Sequence, residues 1–191
     1  MNINKIDQLL PGEVIDNAKL CDLFGCGPQG GMRRSHATNT LIIVSNHVKS
    51  IYDDRWLGEV FHYTGMGTKG DQSLTFAQNK TLANADTLGV SVHLFEVFVE
   101  KQYTYAGQVV LRGEPYFEEQ PDEDGNNRQA CVFPLVLASG VPPTIANENL
   151  RNAQSVKERK ARKLSDEELL KLAKNRRKLP GSRQEIGRAH V

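Results

Sequence analysis

Residues 51 to 72 read I-Y-D-D-R-W-L-G-E-V-F-H-Y-T-G-M-G-T-K-G-D-Q, and the rest of the chain is organised around them. Val60 to Thr64 alternates as a strand does, which puts Phe61 and Tyr63 on one face and His62 and Thr64 on the other. Two rings, Tyr52 and Tyr63, bracket the doubled carboxylate of Asp53 and Asp54, and the segment closes on a glycine-rich turn carrying Thr64, Gly65, Asp71 and Gln72. Rings offer stacking faces, a carboxylate accepts hydrogen bonds from an amino group, and glycine lets backbone N–H groups come close. Such an inventory suits a flat guest with a polar edge, and a nucleobase turned out of its stack is one. The bland reading of Asp53-Asp54 is an Asx turn between strands.

Working outward, Thr40 to Val44 is a continuous apolar run between Asn39 and Ser45-Asn46, so a well-buried strand is predicted. Ahead of it, Phe24 to Ser35 carries Gly25, Gly27, Gly30 and Gly31 and then Met32-Arg33-Arg34-Ser35. No Gly-Lys-Ser/Thr follows, which argues against a nucleotide-hydrolase loop. A loop lying on DNA fits better, with Arg33 and Arg34 on phosphates and Met32 intruding where a base has left. Met32 in the core, with the arginines on the surface, is the open alternative.

Y-D-D, then F-x-Y-T-G-x-G and D-Q, resembles the SRA (SET and RING-associated, or YDG) domains, which flip methylated cytosine out of duplex DNA. With G-G-M-R-R-S and T-N-T-L (Gly30 to Leu41) ahead of the core, the chain is most similar to the SRA-like specificity domains of bacterial HNH-type, modification-dependent (type IV) restriction endonucleases. The resemblance covers residues 23–137. It implies an α+β, mainly β fold, a twisted sheet or partly open barrel of about six strands with short helices. It also implies that Tyr52 and Tyr63 stack on the base, that Asp54 or its neighbour Asp53 reads the Watson–Crick edge, that Thr64 helps accommodate the methyl, and that Gly65 belongs to the base pocket. Ser35, Lys49, Arg55, Lys69, Gln72 and Lys80 join Met32, Arg33 and Arg34 as DNA-contacting residues. The loop Met66 to Gly70 is short where animal relatives carry a finger, so tolerance of either strand state and a loose sequence context are expected.

The energetics of such a site are modest. A methyl group buried against Thr64 is worth about 0.8 kcal/mol, so it tunes affinity. Stacking, at about 1–3 kcal/mol per base, and the carboxylate contact must offset a flipping cost of a few kcal/mol.

Charge is uneven along the chain. From Arg151 onward there are thirteen Lys or Arg against five Asp or Glu; residues 1–150 hold eleven against eighteen. Between Arg33 and Lys80 basic residues outnumber acidic ones by six to four, whereas Asp86 to Asp124 holds nine acidic and two basic. One face can thus favour phosphate while the other repels it. Three cysteines lack the paired spacing and fourth ligand of a zinc site, so no metal is expected, and D-E-D-G at 122–125 lacks the later ligands of a calcium loop. Val90 to Val99 reads as a strand containing His93. Tyr103 to Gly107, then Gln108 to Gly113 and Pro115 to Phe117, read as two short strands around a Gly turn, and 130–137 as a closing strand.

Residues 1–140 form the expected modified-base-binding domain. Residues 141–191 are a basic linker with a helix at about 166–179, capped by Ser165 and Glu168 and stopped by Pro180-Gly181, leading to a nuclease domain beyond this chain. An HNH centre or a D…E-x-K pattern is missing from the sequence. Binding needs no cofactor; Mg²⁺ or Mn²⁺ belongs to the nuclease domain. The partners expected are duplex DNA with 5-methylcytosine or 5-hydroxymethylcytosine and the HNH domain, and a homodimer is compatible with the sequence. No apolar run of about 20 residues or signal peptide marks a membrane or secreted protein, so residence in a bacterial cytoplasm is expected. A stand-alone reader of modified DNA, or a nuclease in its own right, are the competing functions.

Overall fold

A computed structural model describes residues 3–50, 52–141 and 170. In chain order the elements are α1 (Ile3–Ile6), β1 (Val14–Ile15), α2 (Asn17–Phe24), β2 (Met32–Ser35), β3 (Thr40–Asn46), β4 (Arg55–Leu57), β5 (Val60–Thr64), α3 (Gln78–Ala83), α4 (Ala85–Leu88), β6 (Ser91–Val99), β7 (Gln102–Leu111), β8 (Tyr116–Pro121) and β9 (Asn127–Leu137). Nine strands make one mixed sheet in the order β2-β3-β6-β7-β9-β5-β4, with β1 added to β7 and β8 to β9. The fold is therefore mainly β within α+β, with more strands than the six expected.

Only β3 and β6 run parallel, Thr40 facing Ser91 through Asn46 facing Val97. A parallel pair needs a crossover, and α3 and α4 lie within it. Both strands are buried along most of their length, as runs without alternation should be.

β9 is the hub of the sheet. Val132 pairs with Thr64 and with Tyr116, and Leu135 with Phe61 and Leu111. One edge of β9 therefore belongs to β5, while the other is shared end to end by β8 and β7. This junction ties residues 60–64 to the 116–128 hairpin, which lies some 55 residues away in sequence.

Two expectations are corrected. Gly107 does not turn the chain: β7 runs through it, and Leu94 pairs with Gly107 while Phe95 pairs with Tyr105, leaving Ala106 as the extra residue of a bulge. The φ of 131° at Gly107 is a conformation that favours glycine. Secondly, Met32–Ser35, expected as a loop on DNA, is a strand paired register for register with Thr40–Ile43.

The core has two parts. One joins Met32, Leu41, Ile43, Phe61, Tyr63, Leu82, Leu94, Phe133 and Leu135; the other packs α1 and α2 on Ile42, Phe95 and Tyr105. α2 is defined by ordinary end chemistry: Asp16 accepts from Lys19 N at 2.8 Å at its start and Gly25 closes it in the left-handed conformation. By internal contacts the chain divides into residues 1–153 and 154–191. The helix expected at about 166–179 lies outside the described residues except for Leu170, which is helical and exposed. Among the described residues no helix is long and apolar enough to cross a membrane.

Candidate functional site

Asp54 and Asp53 are adjacent and live in opposite surroundings. Asp54 is 4% exposed, and its Oδ1 accepts from the Thr64 backbone N at 2.8 Å while Oδ2 accepts from Ser45 Oγ at 2.8 Å. Burial pushes its carboxyl up to about 6, against the pull of those two donors and of His47. Asp53 is exposed and meets the Arg55 guanidinium at 3.3 Å. Only one of the two is therefore held like a reading group.

Tyr63 is 3% exposed and sits in the core, its ring centroid 6.4 Å from that of Phe61. Its hydroxyl donates to the Gly31 carbonyl at 2.9 Å, and the Asp54 and Tyr52 groups add to the burial that holds it protonated. The expectation of two open stacking faces is corrected here: the alternation of β5 drives Phe61 and Tyr63 inward together, so Tyr63 is a wall. Tyr52 is half-buried, and its hydroxyl donates to the Gly67 carbonyl over a long 3.4 Å. Thr64 is 1% exposed and accepts from Gln120 Nε2 at 3.1 Å. A Cβ on Gly65 would stand 2.6 Å from Asn79 Oδ1 and 3.1 Å from Phe133, so only glycine fits where the chain leaves β5.

The turn after Gly65 is braced by a residue expected on DNA. Gln72 is buried; its Nε2 donates to the Gly65 and Gly67 carbonyls at 2.7 and 3.0 Å, and its Oε1 accepts from Cys131 N at 2.8 Å. Asp71 Oδ1 accepts from Gln129 N at 2.8 Å. The D-Q pair thus staples the loop back onto β9, and both donors of the Gln72 amide are spent.

The Met32–Ser35 set is likewise spent internally. Met32 is 5% exposed within the core, which removes it as a wedge. Arg33 is 6% exposed, donates to Gly30 O and Asn17 Oδ1 at 2.9 and 2.6 Å, and lies over the Tyr103 ring. Arg34 grips the β2–β3 turn through Thr40 O and Asn39 Oδ1, and Ser35 Oγ donates to Gly25 O. Lys49, Arg55 and Lys69 form ion pairs with Glu100, with Asp53 and Glu118, and with Glu123 and Asp124 respectively. Lys80 is exposed at the start of α3 and enters no ion pair among the described residues. His93 is a core residue bonded to the Tyr105 hydroxyl at 2.8 Å, its pKa lowered by burial to about 4.

Several residues of the site gave no local signal. Ser45, nine residues upstream, fixes Asp54. Behind it, buried Glu96 accepts from Trp56 Nε1 at 3.2 Å and pairs with His47 Nε2 at 3.0 Å. Gln120 and Arg128 come from the far hairpin. Arg128, 3% exposed, donates through Nη1 to the Gly67 carbonyl and lies 5.9 Å from the Tyr52 ring centroid.

A mixed sheet in which buried Asp54 is held by Ser45 of β3 and the Thr64 amide of β5 is consistent with an SRA-type domain. The chain belongs to the ScoMcrA-like SRA domain family, which its residues 11–155 match. In structure it is similar to the sulfur binding domain and SRA domain of ScoMcrA complexed with phosphorothioated DNA, at 22% identity and a TM-score of 0.56, over 76% of this chain and 45% of that one. It is also similar to the type IV phosphorothioation-dependent restriction endonuclease ScoMcrA (21% identity, TM-score 0.56, 76% of this chain and 32% of that). The SUVH5 SRA domain in complex with methylated CHH DNA is a third neighbour, with 22% identity, a TM-score of 0.50 and coverage of 72% and 94%. At such identities these similarities establish the fold alone. The chain spans less than half the length of either ScoMcrA chain. No curated protein matches it in sequence.

Proposed function

We propose that this chain reads duplex DNA carrying a modified cytosine, 5-methylcytosine or 5-hydroxymethylcytosine, by turning the base into the site of Tyr52, Asp54, Tyr63, Thr64 and Gly65. It would serve as the specificity module of a modification-dependent HNH restriction endonuclease whose nuclease domain holds the Mg²⁺ or Mn²⁺. Membership of the ScoMcrA-like SRA family and neighbours solved with modified DNA support the class of ligand.

The observation that carries the reading is the state of Asp54. A carboxyl whose pKa is raised to about 6 is easily protonated, and a protonated carboxyl matches cytosine on both counts, donating to N3 and accepting from the N4 amino group. Ser45 and Thr64 fix its orientation before the base arrives, so little is lost in ordering it. Asp54 rather than Asp53 is thus the reader. Tyr52 supplies the movable stacking face and Tyr63 the fixed wall.

The test is a titration of one duplex carrying cytosine, 5-methylcytosine, 5-hydroxymethylcytosine or N6-methyladenine at a single site, repeated with Asp54→Ala and Tyr52→Ala. Preference for a modified cytosine, abolished by Asp54→Ala, is expected. Equal affinity for all four duplexes would end the reading. Incubation with methylated plasmid and Mg²⁺ or Mn²⁺ should leave the DNA uncut, because the nuclease is assigned to another domain.

A further inference from the structure

Arg128 is the one buried side chain among the described residues with polar atoms left unpaired. Its Nη1 donates to the Gly67 carbonyl and to that of Gly70 at 3.3 Å, but Nε and Nη2 are buried with no acceptor. Those two nitrogens are a matched pair. Nε–H and Nη2–H lie side by side on one edge of the guanidinium, parallel and in plane, and that edge grips two oxygens of a carboxylate or phosphate at once. A buried cation whose best edge faces nothing is a costly arrangement for a fold to keep.

The carboxylates around it are committed elsewhere. Asp122, close enough for its carboxyl to feel the guanidinium, spends Oδ1 on the N–H groups of Asp124 and Asn126, both at 2.9 Å, and Oδ2 on that of Gly70 at 3.2 Å. Glu123 pairs with Lys69, and Asp54 is held by Thr64 and Ser45. The Arg128 guanidinium carbon lies over the Tyr52 ring, 5.9 Å from its centroid, and the Tyr52 hydroxyl has only the long bond to Gly67. Burial raises the Tyr52 hydroxyl's pKa, with the Arg128 guanidinium acting against that shift and the Asp54 carboxylate adding to it.

Resting on the base-reading function above, we propose that Arg128 is an oxyanion receptor of the same site. When Tyr52 swings to stack on the incoming base, the Nε–Nη2 edge is uncovered and clamps a pair of oxygens on the extruded nucleotide. Two sources share that chemistry: the nucleotide's own phosphate, and a carboxyl carried at C5 of the base. The phosphate source makes Arg128 an anchor for any flipped nucleotide, and the carboxyl source makes it a reader of oxidised cytosine.

The experiment uses the full chain, wild type and Arg128→Lys, which keeps the charge and loses the fork. Each is titrated with duplexes carrying cytosine, 5-methylcytosine or 5-carboxylcytosine at one site, while the ¹⁵N-resolved Nε–H resonance of Arg128 is followed in the wild type. The expected result is a displaced Nε–H resonance on saturation and about a tenfold loss of affinity in Arg128→Lys. An equal loss for the methyl and carboxyl duplexes assigns the phosphate; a loss confined to the 5-carboxylcytosine duplex assigns the base. An Nε–H resonance that stays in place, or unchanged affinities in a folded Arg128→Lys, overturns the proposal. If Arg128→Lys fails to fold, the wild-type resonance decides alone. Equal wild-type affinity for all duplexes sinks the base-reading function, and the resonance still reports on the phosphate; discrimination with a motionless resonance sinks only the receptor.

Discussion

Two stretches carry the family's motifs equally clearly and are built for opposite ends. In Met32–Ser35 the polar side chains bond within the fold: Arg33 to Gly30 and Asn17, half-buried Arg34 to the β2–β3 turn, Ser35 to Gly25. In the Tyr52–Gly65 hub, Asp54 is held by two hydrogen bonds with its pKa displaced, the Tyr52 hydroxyl has one long bond, and the Arg128 fork near it is unpaired. A motif marks what a fold needs as often as what a ligand needs. The difference lies in the partners: groups whose bonding is complete are holding the protein together, and groups oriented but incompletely bonded are waiting for something.

The largest effects should come from Asp54. Asp54→Ala is expected to weaken the modified-duplex complex by roughly 10- to 100-fold in a titration, the range for losing hydrogen bonds to an ionisable group. Its stability signature has the opposite sign. The folded-state pKa of about 6 lies above the ordinary 3.8, so the folded protein holds this proton more tightly. The contribution favours folding below pH 3.8 and is lost as pH rises from 3.8 through 6, by on the order of 3 kcal/mol. Asp54→Asn keeps the shape without the charge. Urea unfolding at pH 4 and pH 7 should show the variant gaining on the wild type by that amount at the higher pH. A flat difference between the two pH values would mean that Asp54 is not the strained acid of the hub.

Next in size is Gly65→Ala. The new methyl would meet Asn79 Oδ1 at 2.6 Å with Phe133 behind it, and Asn79 is tied to the Met66 N–H and C=O. Overpacking of this kind costs about 1–3 kcal/mol, which thermal melts would show. Unchanged melting would show that the loop has room to move, against the rigid hub described here.

The contrast also explains what was legible in sequence. Strands β3 and β6 follow from runs of apolar residues and β5 from its alternation, and the Tyr-Asp-Asp to Tyr-Thr-Gly pattern pointed to the hub. What failed was local inference about glycine and arginine. The glycines before Met32 suggested a loop although β2 begins there, and Gly107 suggested a turn although it sits in a bulge. The different surroundings of Asp53 and Asp54 could not be read locally, because Asp54 is held by Ser45 from β3 and by the Thr64 amide across the β4–β5 hairpin. Gln120 and Arg128 reach the hub only because β9 serves β5 and β8 on opposite edges. A lone arginine after the acidic run at 122–124 was the one signal available for it.

Arg33 provides the direct test of the comparison. Arg33→Ala removes two hydrogen bonds and a ring contact that tie β2 to α2 and β7. A loss of roughly 1–2 kcal/mol is expected, a few degrees in melting temperature. DNA affinity measured well below that temperature should change less than about threefold. If Arg33→Ala instead cost as much affinity as Asp54→Ala with melting unaltered, the β2 arginine would be a phosphate contact and the division between the two stretches would be wrong.

The smallest effects separate the exposed lysines. Lys49 is engaged by Glu100 at 2.6 Å, whereas Lys80 enters no ion pair among the described residues. A lysine that meets a phosphate releases counterions, so its removal lowers affinity and reduces the slope of log affinity against log salt by about 1. Lys80→Ala should show that reduction, and Lys49→Ala should show less of it because its charge is already answered by a carboxylate. Neither change should move the melting temperature, since both side chains stand in solvent. The titrations at 50 and 200 mM salt that measure the slopes also place the duplex: a larger slope change for Lys49 would put DNA against the ends of β3 and β6 rather than beside α3.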